Sequence, residues 1–260
     1  MTPPVFVCDR ASLEADRITL TGPEGRHATV VRRLAPGELV DLTDGDGLLA
    51  HCVVVAVRTG ELELAVRARR LEPVPRCRVV VVQAILKGDR GELAVELMTE
   101  VGIDVIVPWA AQRCVTRWAP DRAGKALARL RSTAREAAKQ SRRARFPEVT
   151  DQAGLGEVAA LVSQARLALL LDPGAERRLI DVVPSPGEGR GRGGGGGEGD
   201  LVAGDVVLIV GPEGGVSETE TDRLMQAGAV PARLGPSVLR ASTAGAIAGA
   251  LALNAVGRWH

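Results

Sequence analysis

The feature that most constrains this chain is the run VVVVQAIL at residues 79–86. A segment with almost no polar alternation has no face to offer to water, so it belongs in a sheet buried on both sides, which is the situation of parallel strands covered by helices. An amphipathic stretch from Asp89 to Val101 follows, Gly102 provides a helix stop, and IDVIVPW at 103–109 is a second apolar strand. Together they make a βαβ unit, whose crossover is right-handed by the general rule. Strand-like LALLLD at 167–172 and VVLIV at 206–210 continue the pattern.

Residues 5 to about 72 read differently. VFV, ITL, ELVDLTDGDGLLAHCVVVAV and ELELAVRARR are short β-rich pieces punctuated by Pro36-Gly37, the DGDG turn at 44–47 and Thr59-Gly60, the pattern of a small barrel. The change of pattern falls at EPVPR, residues 72–76, and sets the expected division into domains 1–73 and 74–260. Within the second, PSPGEGRGRGGGGGEGD from Pro184 to Asp200 reads as a mobile glycine-rich surface insertion without assigned function. The N-terminus has no basic start followed by an apolar stretch, and no segment approaches 18 uninterrupted apolar residues, so the expected location is cytoplasmic with no membrane association. Cys8, Cys52, Cys77 and Cys114 form no CxxC pair, which argues against structural zinc and for free thiols; no metal site is expected.

A formal net charge of +1 hides an uneven distribution. Between Arg113 and Arg145 there are eleven basic residues against Asp121 and Glu136. From Asp121 to Arg143, Ala123, Leu127, Leu130, Ala134 and Ala138 fall at helical spacing, with Arg131, Arg135, Lys139 and Arg142 on a neighbouring face. Such a stripe suits a phosphate backbone, and it equally suits a solvated helix face with no ligand.

Chemistry concentrates in two turns. In VVLIVGPEGGVSETE, residues 206–220, a buried strand breaks into a glycine-rich turn, and Ser217 with Glu220 forms a capping box that marks the next helix. Gly211, Gly214 and Gly215 permit close approach of backbone to a ligand, at the strand end where parallel sheets bind ligands. The turn lacks GK[ST] and GxGxxG and carries Glu213 at its centre, so a neutral or cationic ligand suits it better than a phosphate. LGPSVLRASTAGAIAGALALNAV, residues 234–256, repeats the design, with Ser242 or Thr243 as the expected cap of a small-residue helix. Its glycines and alanines allow close approach of another backbone, within the chain or from a second subunit.

GPEGG, LGPSVLR and STA opening an alanine-rich helix closely resemble the C-terminal motifs of the SPOUT methyltransferases, and within them the RsmE family. KGDRGELAVELMTEVGIDVIVP (87–108), QRCVTRW (112–118) and EAAKQSRRARFPEV (136–149) resemble that family's intermediate motifs in order, and His27 to Gly37 with the DGDG turn resembles its N-terminal PUA-like β-barrel. The resemblance implies an α/β fold in which a PUA-like RNA-binding barrel precedes a SPOUT domain with a parallel sheet and a deep trefoil knot, the chain around 235–241 threading a loop. It implies a homodimer, S-adenosyl-L-methionine as cofactor and 16S ribosomal RNA as substrate, methylated at N3 of a uridine. Carried onto this sequence, the cofactor contacts are Leu171, Gly211, Glu213, Gly214, Leu234, Gly235, Val238, Leu239, Arg240 and Ser242, largely through backbone groups. This chain reads VLRASTA where relatives read LRTETA, so an acid-based role at 242 is not expected. Valines at 5 and 30 likewise replace frequent arginines.

A cation near the uracil carbonyls would favour the N3 anion, and Arg240, Arg113 and Arg142 are the catalytic candidates for it, with phosphate or carboxylate pairing as the alternative for each. No residue stands out as a general base. The expected RNA-contacting residues are Arg33, Lys87, Arg90, Arg113, Arg135, Lys139, Arg142 and Arg143. The target base has to leave its stack, and Trp109 and Trp118, close to the basic block, are candidates for stacking on it, although burial is the commoner fate of tryptophan. The rival readings are a non-catalytic RNA-binding protein of ribosome assembly, and a nucleotide-phosphate enzyme, which the missing P-loop lysine disfavours.

Overall fold

The computed structural model describes residues 2–183 and 203–259. The glycine-rich segment 184–200 lies outside the described residues. The chain divides into two units, Met1–Val74 with Arg135–Phe146, and Pro75–Ala134 with Pro147–His260.

The first unit runs β1 (Val5–Val7), α1 (Arg10–Leu13), β2 (Arg17–Leu20), α2 (Gly22–Arg26), a π-helical turn at His27–Val31, β3 (Leu39–Thr43), β4 (Leu48–Arg58) and β5 (Glu61–Leu71). Where the sequence suggests a small barrel, the backbone makes a five-stranded mixed sheet in the order β1-β3-β4-β5-β2, with β1 parallel to β3 and the other pairs antiparallel. Register shifts at His51/Cys52 and Val54/Ala56 bend the two long strands, as bulges do. Their inward residues, among them Cys52, Val54, Leu62 and Leu64, close on Phe6, Leu13 and Leu42.

The DGDG turn has a structural task. Gly47 N–H donates to the Ala144 carbonyl at 3.0 Å, Phe146 N–H to that of Gly45 at 2.7 Å, and the Arg145 guanidinium to that of Glu72 at 3.0 Å. Residues 135–146, read from sequence as part of the second domain, are thereby fastened into the first unit.

The second unit runs β6 (Val79–Ala84), α3 (Arg90–Val101), β7 (Val105–Trp109), α4 (Pro120–Gln140, in this unit to Ala134), β8 (Glu148–Val149), α5 (Leu155–Gln164), β9 (Leu167–Leu171), α6 (Leu179–Val182), β10 (Val206–Val210), α7 (Glu218–Gln226), β11 (Val230–Ala232) and α8 (Ala241–Ala255). All six strands are parallel, in the order β11-β9-β10-β6-β7-β8. Burial on both faces is visible residue by residue, since Val79 and Val81 enter the apolar cluster with Met98, Ala248 and Ala252, while Val80 and Val82 enter the other with Trp109, Val158 and Leu224. α3 ends at Gly102, whose φ of 105° is the left-handed value a helix stop of this kind needs.

α8 lies against α3, β6 and β10. Its small residues serve this packing inside the chain: a Cβ on Gly249 would collide with Ile103 Cδ1. Its start differs from the sequence expectation. Arg240 is the N-cap and no side chain caps the helix; Ser242 is buried in the first turn, and the Thr243 hydroxyl donates back to the Arg240 carbonyl at 3.1 Å. The chain end beyond α8 is held by Arg258, which makes a two-pronged ion pair with Asp104, itself accepting the Val79 N–H at 2.8 Å. No helix among the described residues is long and apolar enough to cross a membrane.

Candidate active site

The carboxyl ends of three neighbouring strands are level, because Ala232 pairs with Leu171 and Leu171 with Val210. The segments leaving them, Asp172-Pro173, Gly211–Val216 and the stretch from Leu234 through Ser242, therefore converge at one edge of the sheet, where open parallel sheets take ligands. They enclose a cavity of about 460 Å³.

Nine of the ten expected cofactor contacts line this cavity: Leu171, Gly211, Glu213, Leu234, Gly235, Val238, Leu239, Arg240 and Ser242. The tenth, Gly214, faces the other way, and a Cβ there would lie 3.5 Å from Arg113 Cβ. The turn after β10 is closed by Gly215 N–H donating to the Pro212 carbonyl at 2.9 Å, with Gly215 at φ 75°. Ser217 and Glu220 then form the capping box read from the sequence.

Leu170, Leu171, Leu234 and Leu239 supply apolar wall, while the charged side chains of the lining are Arg90, Asp172, Glu213 and Arg240. The size lies within the usual range for small-molecule sites, and the mixture of apolar wall, turn backbone and carboxylates suits a flat aromatic base joined to a cationic, amino-acid-like end. The residues present thus fit adenosylmethionine. Sequence reasoning missed Asp172, although its place directly after a buried parallel strand was a signal. Arg90, assigned from sequence to RNA, lines the cavity with Nη1 3.5 Å from Glu213 Oε1.

Arg240 lines the cavity, and Arg113 reaches toward the glycine turn, its Nη1 donating to the carbonyls of Gly214 at 3.4 Å and Val216 at 3.5 Å. Arg142 belongs to the first unit, exposed and at φ 59°. Of the remaining expected RNA contacts, Arg33 and Lys87 are exposed, and Arg135 is exposed with a guanidinium nitrogen 3.6 Å from Glu24. Lys139 is a correction: its ammonium is buried, 3.0 Å from Glu24 and 3.3 Å from Glu136, so two carboxylates of its own unit occupy it. Arg143 also has a partner in the chain. Trp109 is fully buried, which removes its ring from stacking, and Trp118 is half-buried against the same cluster. All four cysteines are free, and burial pushes every thiol up, Cys8 to about 12 and Cys52 to about 11.

Comparison with known proteins gives the class first. A model of the RNA methyltransferase domain matches residues 72–253, and one of the RNA methyltransferase PUA domain matches residues 20–66. The ribosomal RNA small subunit methyltransferase E of Mycobacterium tuberculosis is 43% identical over 249 residues, covering 92% of this chain and 86% of that protein. The protein of the same name from Bacillus subtilis is 28% identical over 236 residues, covering 89% and 87%. The crystal structure of the Neisseria gonorrhoeae ribosomal RNA small subunit methyltransferase E bound to S-adenosyl methionine superposes with a TM-score of 0.74 at 25% identity, covering 97% of each chain. The chain belongs to the RsmE family, the ribosomal RNA small subunit methyltransferase E proteins.

Proposed function

We propose that this protein transfers a methyl group from S-adenosylmethionine to N3 of a uridine in 16S ribosomal RNA, in the cytoplasm. The observation that carries the reading is the cavity built from the ends of β9, β10 and β11, together with membership of a family in which a relative holds the same cofactor. When bound, the cofactor supplies an electrophilic methyl on a sulfonium. The chain's own part is to hold that group by the backbone of two turns and its base by leucines, so that nucleophile and methyl meet in line. Arg240 and Arg113 are the cations at hand to favour an anionic N3, and Arg33, Lys87 and Arg142 are exposed for phosphate contact. The segment 235–241 is read as the threaded part of a trefoil knot, which accounts for a cavity walled by three separate loops. The test is nucleoside analysis of 16S ribosomal RNA from cells with and without the gene. Loss of 3-methyluridine on deletion, restored by the purified protein with adenosylmethionine, is the expected result; an unchanged level of it refutes the substrate.

We further propose a homodimer. Leu93, Leu97 and Val101 lie at four-residue spacing on α3, and Ile247 and Leu251 on the adjoining α8, with Leu93 43% and Ile247 42% exposed. An apolar stripe shared by two packed helices supports a self-complementary interface. Light scattering is expected to give twice the 27.2 kDa chain mass. Leu93→Asp with Ile247→Asp should yield the monomer mass with the fold retained; a wild-type monomer contradicts the interface.

A further inference from the structure

Glu220 does more than a helix cap requires. It is buried, 4% exposed, and its carboxylate accepts three hydrogen bonds from neutral donors. Oε2 takes the Ser217 N–H at 3.1 Å and the Ser217 hydroxyl at 2.8 Å, which completes the capping box of α7. Oε1 is left over from that arrangement and takes the backbone N–H of Gln112 at 2.7 Å. Gln112 lies in the loop after β7, and β6 stands between β7 and β10 in the sheet. The carboxylate therefore ties a loop from one strand across the end of the next to the glycine turn of a third.

The residue after the tied N–H is Arg113. Its side chain leans on Gly214 and donates, at long distance, to the carbonyls of Gly214 and Val216. Two contacts of 3.4 and 3.5 Å do not fix a flexible arginine, whereas a short charge-assisted bond to the preceding peptide fixes the backbone from which it extends. The other face of the same turn lines the cavity. Arg113 keeps further donors, and its side chain is exposed.

We infer that Glu220 is a positioning residue for methyl transfer: through the Gln112 peptide it sets Arg113 at the rim of the cofactor cavity, where the guanidinium meets the RNA substrate. This rests on the methyltransferase reading above. Neither the adenosylmethionine pocket nor the α7 cap alone requires the bond to Gln112.

The test is a mutant cycle on the full chain with wild type, Glu220→Gln, Arg113→Ala, the double variant and Ser217→Ala. An amide has only one acceptor atom, and in Glu220→Gln that oxygen stays with the two donors of Ser217, so the NH2 group faces the Gln112 N–H, a donor against a donor, and the link to Gln112 is the one given up. Glu220→Gln and Arg113→Ala should each lower kcat roughly 10- to 100-fold, as loss of an orienting partner does, with adenosylmethionine affinity within about threefold of wild type. The double variant should be no slower than Arg113→Ala, because the two residues act as one unit. Ser217→Ala removes the cap and leaves the Gln112 bond, so it should lower the melting temperature and spare kcat. Should Glu220→Gln fail to fold, Glu220→Asp, one methylene too short to reach Gln112, takes its place in the cycle. Multiplicative losses in the double variant, an unchanged kcat in the Glu220 variant, or an equal loss in Ser217→Ala overturn the inference. A wild-type protein that neither binds adenosylmethionine nor methylates RNA would instead overturn the reading beneath it.

Discussion

Gly211→Val should abolish useful cofactor binding while the chain still folds. A Cβ at 211 would lie 2.6 Å from Val216 Cγ2, and the branches of valine bring two more carbons to the same place. Val216 sits on the cavity wall and on the turn that carries Glu213, so relief of the clash has to move the turn. Overpacking of this kind costs about 1–3 kcal/mol of stability, which a unit with two apolar clusters survives. Binding suffers more, because the turn that has to move is itself wall of the cavity, through Gly211, Pro212, Glu213, Gly215 and Val216. Calorimetric titration with adenosylmethionine should show a Kd at least ~100-fold weaker, equal to about 2.7 kcal/mol, beside a circular dichroism spectrum like that of wild type. A variant that binds as tightly as wild type would mean that the turn after β10 is not the binding element.

Asp104→Ala should produce the largest loss of stability. Asp104 is 9% exposed and accepts both prongs of Arg258 together with the Val79 N–H, so its removal strands a mostly buried guanidinium and a backbone donor at the start of the central strand β6. Breaking such a pair from one side costs about 3–5 kcal/mol, which for a unit of this size lowers the melting temperature by about 10 °C. Asp104→Ala combined with Arg258→Met should recover part of the loss, since the stranded charge is then gone. Melting curves followed by near-ultraviolet circular dichroism check both; a shift below about 2 °C for the single variant would show that the pair does not anchor the chain end.

Much of this architecture was legible because it is local. The alternation of Val79 and Val81 with Val80 and Val82 between opposite faces follows from an apolar run, and the Ser217–Glu220 cap from two residues three apart. What escaped depends on partners far along the chain. The basic block looked uniform, yet Lys139 is committed to Glu24 and Arg145 to the backbone of Glu72, and nothing near either residue announces those partners. β8 is two residues long and carries no periodicity to detect. The α8 cap was misread because STA resembles a capping sequence, whereas the helix begins one residue before Ser242 and leaves that serine inside the first turn. The cavity was anticipated through its two glycine turns and half of its charged wall with them, Glu213 and Arg240; Asp172 and Arg90 were not, and join it only because β9 and α3 end and begin at the same edge of the sheet.

The most direct measurement is a crystal structure of the full chain grown with S-adenosylmethionine. The ligand should lie between residues 211–216 and 234–242, its adenine against Leu171, Leu234 and Leu239 and its methyl group open toward the side from which RNA arrives. A cofactor bound elsewhere on the chain, or that space closed while the ligand remains in solution, would contradict the account.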